Sequence, residues 1–274
     1  MPTQIEKGTQ FRALHQRDRA FIIPNPWDIG SARLLANLGF EALATTSAGY
    51  AFSIGQRDNT VGRDRMIAHV RDIVGATDLP VSADLENGFG DDAETVAETI
   101  KLAAAAGLVG GSIEDSGSHG DDPIYKLEHA ADRVRAAAAV VRSLPFTFTL
   151  TARAENYLFG RRDIKDTIKR LQAYQEAGAD VLYAPGLATK EDIAAVVSSV
   201  DRPVNVLMGL AGVRLNVGEL SELGVKRISV GSVLARTALT AFLRAAEEMR
   251  DHGTFSFADE LVSFRDISEM FKVS

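Results

Sequence analysis

The chain has 274 residues, 46% of them hydrophobic, with 30 basic and 37 acidic residues for a net charge of -7 and no cysteine. The length suits one domain of alternating strands and helices, a class that runs to about 250 residues, and the mild acidity without long charge runs argues against a nucleic acid or an anionic membrane as partner. The missing cysteine excludes disulfides, thiolate metal sites and a Cys nucleophile or acid. A polar N-terminus lacking an apolar core, and no stretch near ~18 consecutive apolar residues, lead to the expectation of a cytoplasmic protein.

In chain order, a helix-like opening carries Phe11 and Leu14, and Ala20 to Pro24 reads as a buried strand leaving into Asn25, Pro26, Trp27 and Asp28. Ser31 to Leu38 has helical apolar spacing and stops at Gly39, a C-cap signal. Phe40 to Thr46 is the second strand, exiting into TTSAGYA; Gly55 to Arg63 is polar loop, and Arg65 to Val74 is helical. The third strand opens PVSADLENGFG at Pro80, emptying into a turn at Asn87 to Gly90. Side chains two apart on a strand share a face, so Asp84 and Glu86 are expected to point the same way.

Glu94 to Ala106 is a helix closed by Gly107, and Val109 to Ile113 a fourth strand delivering Glu114 and Asp115. A loop leads to the helix Leu127 to Arg142, and Pro145 to Thr151 is strand five, delivering Arg153 and Glu155. Ile164 to Ala177 is helical, Asp180 to Ala184 strand six, Lys190 to Val197 helical, Pro203 to Leu207 strand seven, Val217 to Leu223 helical and Arg227 to Val230 strand eight. Val233 to Arg250 and Ala258 to Phe271 are helical. Eight strands alternating with helices predict a closed (β/α)8 barrel of the TIM type with extra C-terminal helices, as one domain over 1 to 274. An open doubly wound sheet is the alternative, but no glycine-rich dinucleotide fingerprint follows the first strand.

Such a barrel gathers its chemistry at the C-terminal ends of its strands. That face would hold Thr46, Ser47 and Gly49; Asp84 and Glu86; Glu114 and Asp115; Arg153 and Glu155; Asn205; and Gly231 and Ser232. Neighbouring carboxylates repel unless water, a proton or a cation intervenes, and Mg2+ takes oxygen ligands while using one or two carboxylates directly. Arg153 can take a substrate carboxylate bidentately. Against these readings stand a solvated pair of strand-end acids, loop capping by Glu114 and Asp115, Arg153 as partner of Glu155, and plain helix capping by Ser232.

SADLENGFG, SIEDS, TARAENYL and GVKRISVGSVLARTA together resemble the isocitrate lyase and phosphoenolpyruvate mutase superfamily, and the similarity runs from IIPNPWDIG onward over nearly the whole chain. The resemblance implies an α/β barrel, Mg2+ (with Mn2+ as a substitute), and 2-oxo acid or phosphonate substrates reacting through an enolate. It also implies a homodimer or homotetramer whose C-terminal helices, about 233 to 274, pack on a neighbouring subunit. Position by position, Asp84 matches the direct metal ligand, Glu86 and Glu114 acids that act mainly through water, and Asp58 a further acid of that shell. Arg153 matches the carboxylate-binding arginine, and Thr46, Ser47 and Ala48 the loop that receives the substrate's carboxylate and oxo oxygens, with Asn205 also on the substrate side.

Departures from the family matter equally. The Cys-containing loop of the lyases and the Lys-Thr-Asn loop of the phosphonopyruvate-handling members are both missing, replaced by DSGSHGDDPIYK, and Glu86 stands where Asp is usual. The single loop histidine, His119, is read as solvent-exposed rather than as a base. Decarboxylation needs no base to start it, whereas cleavage of a hydroxy acid does. Oxaloacetate decarboxylation is therefore the expected reaction, with Tyr50 or water reprotonating the enolate. Phosphorus–carbon bond chemistry and a barrel that binds a 2-oxo acid without turnover are the alternatives.

Overall fold

The computed structural model describes residues 2–117 and 122–272; His119 lies outside them. Eight strands run β1 (Phe21–Ile23), β2 (Leu43–Ala44), β3 (Val81–Asp84), β4 (Gly110–Glu114), β5 (Thr149–Arg153), β6 (Val181–Tyr183), β7 (Val204–Leu207) and β8 (Arg227–Ser229). All pair in parallel, in the order β1-β8-β7-β6-β5-β4-β3-β2. The helices are α1 (Gln4–His15), α2 (Ile29–Asn37), α3 (Ser47–Ser53), α4 (Arg63–Gly75), α5 (Ala93–Ala105), α6 (Leu127–Ser143), α7 (Ile164–Ala177), α8 (Lys190–Ser198), α9 (Val217–Glu222), α10 (Val233–His252) and α11 (Phe264–Glu269). The expected (β/α)8 barrel is present.

At the seam between β1 and β2 the ladder gives way to one backbone bond, Ala44 N to Pro24 O at 3.0 Å. Asn25 reinforces it: its Nδ2 donates to Thr45 O (3.1 Å), and its Oδ1 accepts from the N–H groups of Val230 and Gly231, each at 2.9 Å. One buried amide thus spans the loops after three strands.

The units repeat one local grammar. Polar caps open several of the helices: Asp92 accepts from Thr95 N and Asp163 from Asp166 N, each satisfying an orphan donor of the first turn. Gly178 closes α7 in the left-handed conformation, φ 106, which a side chain resists. Apolar side chains between strands and helices, among them Leu85, Ile100, Leu150 and Leu182, form the main core.

The opening helix α1 lies across the N-terminal end of the barrel. Phe11 and Leu14 are buried there with Phe21, Ala42 and Val109. Gly8 sits so close to Thr147 that an added Cβ would stand 2.2 Å from its carbonyl oxygen, so the approach of α1 needs glycine at this point.

Three expectations change. Strand two, expected over Phe40 to Thr46, is only Leu43–Ala44, and the segment it exits into, given no element from sequence, forms α3, started by Thr46, whose Oγ1 accepts from Gly49 N at 3.2 Å. Strand five lies later than expected, so Arg153 ends the strand instead of following it. The stretch expected as one helix over 258 to 271 is a 3-10 turn (Ser256–Glu260) and then α11, because Leu261 is extended and Ser263 caps a new helix through Asp266 N at 3.1 Å.

The C-terminal region is thinly covered by the chain itself. Of α10 only Ala235 is buried, while Leu239, Phe242, Leu243, Phe255 and Phe264 are exposed. The Asn37 side chain, however, donates to Met270 O, tying the tail back to α2. Among the described residues no helix is long and apolar enough to cross a membrane.

Candidate active site

Three adjacent strands end in charge. Asp84, Glu114 and Arg153 are the last residues of β3, β4 and β5, and Glu114 lies directly beside Arg153 in the ladder. The Arg153 guanidinium reaches three acids: Nη1 to Asp84 Oδ1 at 2.8 Å, Nη2 to Glu114 Oε2 at 3.0 Å and Nε to Glu155 Oε1 at 2.8 Å. Its Cζ also stands 5.4 Å from the Tyr183 ring centre. Held by this ring of carboxylates, Arg153 has its pKa raised well above the ordinary value, although burial opposes the charge.

Around them is a cavity of about 290 Å3, open at the C-terminal face and lined by Thr46, Ser47, Ala48, Asp58, Asn205 and Arg227 as well as Asp84, Glu114 and Arg153. The substrate-binding residues expected from sequence therefore share one space. The N-terminus of α3 faces the acids: Ser47 donates to Asp84 Oδ2 through its Oγ (3.0 Å) and its N–H (3.3 Å). Thr45 Oγ1 accepts from Asp84 N at 3.1 Å, and Ser116 Oγ donates to Glu114 Oε1 at 2.8 Å. Asp58 stands on the rim, where the protein packed round its carboxyl and then the charge of Asp84 raise its pKa.

Glu86 is placed differently from the expectation. The strand stops at Asp84, and Glu86 takes a positive φ of 50, so the two-residue periodicity no longer applies. Its side chain is buried and borders the neighbouring groove with Asn59, Arg63 and Asn87 instead of the main cavity. Burial first, then the charges of Asp84, Asp58 and Glu114, push its carboxyl up to about 8.

Asp115 also leaves the mouth. It is buried, accepting from Glu155 N (2.8 Å), Arg170 Nη1 (3.0 Å) and the Tyr174 hydroxyl, and so locks the β4 exit onto α7. Tyr50 does not line the cavity; its ring stacks on His69 with centres 3.7 Å apart, which turns it away from a proton-donor position. Sequence reasoning passed over Tyr183, because strand six was expected to run on to Ala184, and Arg227, because it opens its strand whereas attention fell on strand exits. The signal was the two-residue period that puts Arg227 and Ser229 on one face.

Among the described residues no three acids or histidines converge as a ready metal cage, since Arg153 is inserted between Asp84, Glu114 and Glu155. The Arg153 guanidinium supplies the positive charge that these acids meet. The donor set nevertheless fits a hard divalent ion: it consists of carboxylate oxygens, and Glu86 Oε1 is buried with no hydrogen-bond partner.

Parallel strands wrapped in helices, with acids and an arginine converging at the C-terminal mouth, define an α/β-barrel protein of the enzyme class. The profile of the family described as phosphoenolpyruvate phosphomutase matches residues 11–250. The chain belongs to that family, within the phosphoenolpyruvate mutase and isocitrate lyase superfamily. A Burkholderia cenocepacia protein whose crystal structure is described only at the level of a lyase or mutase is 62% identical, with a TM-score of 0.96 over 98% of this chain and 97% of that one. An oxaloacetate decarboxylase of Paraburkholderia xenovorans is 29% identical over 260 residues, 90% of this chain and 84% of its own. A 2-methylisocitrate lyase of Halalkalibacterium halodurans is 27% identical over 261 residues, 92% and 85% respectively.

Proposed function

We propose that the protein is a Mg2+-dependent lyase for a small 2-oxo carboxylate or dicarboxylate, reacting through an enolate, with oxaloacetate decarboxylation as the leading reaction. The observation that carries this reading is the meeting of Asp84, Glu114 and Arg153 at three adjacent strand ends beside the α3 N-terminus. Asp84, Glu86 and Glu114, with Asp58 on the rim, would hold Mg2+ or Mn2+, which would supply a Lewis acid for charge gathering on the substrate's oxo oxygen.

The rest falls to the chain's own groups. With Asp84 and Glu114 engaged in holding the ion, Arg153 would keep its Nε side on Glu155 and offer its Nη1 end to a substrate carboxylate. Thr46, Ser47 and Ala48 would orient the oxo-acid end with α3 amides, and Asn205 would face the substrate from β7. The chain contains no cysteine to serve as the acid or base of a hydroxy-acid cleavage, and loss of CO2 requires none.

The matched family favours a second reading, phosphorus–carbon bond chemistry on phosphonopyruvate. Release of pyruvate from oxaloacetate above the Mg2+-only background tests the first reading; phosphorus NMR after incubation with phosphonopyruvate tests the second. One barrel unit over 1 to 274, working as a cytoplasmic homodimer or homotetramer, belongs to the same proposal; the uncovered apolar side chains of the C-terminal helices support the assembly.

A further inference from the structure

The turn that carries Glu86 runs against the backbone's own preference, and a side chain outside the mouth holds it. Glu86 (φ 50), Gly88 (φ 80) and Phe89 (φ 61) all take the left-handed conformation, which is costly for the two that carry a Cβ and persists only where the surroundings impose it. The site itself imposes the first half of the turn: Glu86 N donates to Asp84 Oδ1 (3.3 Å), and Glu86 O accepts from Glu114 N (3.0 Å). The second half is imposed from α6. Arg133, only 1% exposed, donates from Nη1 to Gly90 O (2.7 Å) and Asp91 O (2.6 Å) and from Nη2 to Asn87 O.

Tyr125 completes this clamp. Its ring centre lies 4.4 Å from the Arg133 Cζ, and its hydroxyl accepts from Asn87 Nδ2 (3.1 Å) while donating to Asp91 Oδ1. Burial, then the bond to Asp91, pushes the phenol up to about 12, so the hydroxyl keeps the proton it donates. Thr99 adds a further tie, its Oγ1 donating to Gly88 O at 2.7 Å.

Neither Arg133 nor Tyr125 lines the main cavity. Their bearing on it runs through Glu86, whose carboxyl feels the charges of Asp84, Asp58 and Glu114. Glu86 Oε1 is buried with no hydrogen-bond partner. No bond at that oxygen fixes where the carboxyl sits, so its place follows from the left-handed backbone beneath it, and that backbone is pinned by the clamp.

We propose that Arg133, braced by Tyr125, is a positioning residue for the metal site: by fixing the turn after β3 it sets the reach of the Glu86 carboxyl toward an ion held at Asp84 and Glu114. This rests on reading the mouth as a metal site. The role needs a planar fork of donors, since three carbonyls share one guanidinium. An ammonium keeps the charge but presents its donors from a single point, so Arg133→Lys alters the geometry of the turn and leaves the charge in place.

Calorimetric titration of Mg2+, repeated with Mn2+, into wild type, Arg133→Lys, Glu86→Gln and the double variant tests the assignment, with melting followed in parallel. Arg133→Lys and Glu86→Gln are each expected to weaken the ion about tenfold. The double variant is expected to bind as Glu86→Gln does, because Arg133 acts on the ion only through that carboxyl. An Arg133→Lys affinity within about twofold of wild type, or a double variant weaker than Glu86→Gln by the full factor that Arg133→Lys costs the wild type, would overturn the proposal. The cycle separates positioning from support of the fold: a loss of melting temperature from Arg133→Lys recurs in both backgrounds, whereas the loss of metal affinity does not. Where Arg133→Lys fails to fold, Tyr125→Phe removes the hydroxyl, keeps the ring and takes its place in the cycle, with the same outcomes deciding. A wild type that binds neither ion removes the metal reading and this proposal together; a wild type that binds them, with equal losses in both backgrounds, removes this proposal alone.

Discussion

Arg153 Nη1 and Asp84 Oδ1 lie 2.8 Å apart across the ends of β5 and β3, although Glu114 on the intervening strand also holds the same guanidinium. One cation therefore balances acids from three positions of the mouth. Removing it as Arg153→Met leaves Asp84, Glu114 and Glu155 buried together, and breaking buried pairs of this kind costs about 3 to 5 kcal/mol. Urea unfolding should show that loss, with Arg153→Lys recovering only part because an ammonium cannot fork to several carboxylates. An unaltered unfolding midpoint in Arg153→Met would show the cluster to be held by something else.

Metal dependence should follow the acids. Chelator should abolish turnover and Mg2+ or Mn2+ restore it, and metal at a hundred times its Kd should add about 2.7 kcal/mol to stability by linkage. Asp84→Ala should erase that stabilisation and reduce turnover at least ~100-fold. Equal melting temperatures for wild type with and without Mg2+ would sink the assignment.

Asp115 offers a control within one residue of the site. Asp115→Asn removes the charge shared by Arg170 and the Tyr174 hydroxyl. It is expected to cost about 3 to 5 kcal/mol in unfolding free energy while changing substrate affinity far less than Arg153→Met, since Asp115 does not line the cavity. A large affinity loss with intact stability would reverse that assignment.

Two buried histidines predict acid sensitivity. Burial lowers His15 to about 3 and His69 to about 4, from 6.5 in the unfolded chain. The unfolded state then gains protons that the folded state refuses, so the stability they contribute is complete above pH 6.5. It falls as the pH drops toward 4 for His69 and 3 for His15, by about 1.4 kcal/mol per pH unit for each. Unfolding measured from pH 7 to 4 should flatten in a His15→Asn, His69→Asn double variant; an identical slope would refute the account.

The C-terminal helices predict assembly. Phe242 and Phe264, 67% and 88% exposed, would gain from burial against a neighbouring subunit, together with the exposed Leu239, Leu243 and Phe255. Light scattering should report a dimer or tetramer, and Phe242→Asp with Phe264→Asp should shift it toward monomer. A monomeric wild type at micromolar concentration would end the oligomer reading.

Much of the barrel was legible because many βα units carry their own signals: an apolar run, a polar cap such as Asp92 or Asp163, or a closing glycine such as Gly178. The short helix α3 was not, since SAGYAFS is too brief and too rich in small residues to show a helical period. Asp84 and Glu114 could be placed at strand ends from chain order alone. Glu86 could not, because its side follows from a left-handed backbone that no alternation pattern encodes. Nor could sequence reveal that Arg153 would settle the repulsion between the acids, which depends on three strand ends lying side by side.

The amide of Asn25 has one more consequence, for how the molecule is made. Its Oδ1 waits for backbone donors 205 and 206 positions further along the chain. A nascent polypeptide can stack its middle units as they emerge, but the ring stays unlatched until the ribosome has released the eighth rung. Until then the first and seventh rungs present raw edges, and chaperone capture or self-association should concentrate in that interval.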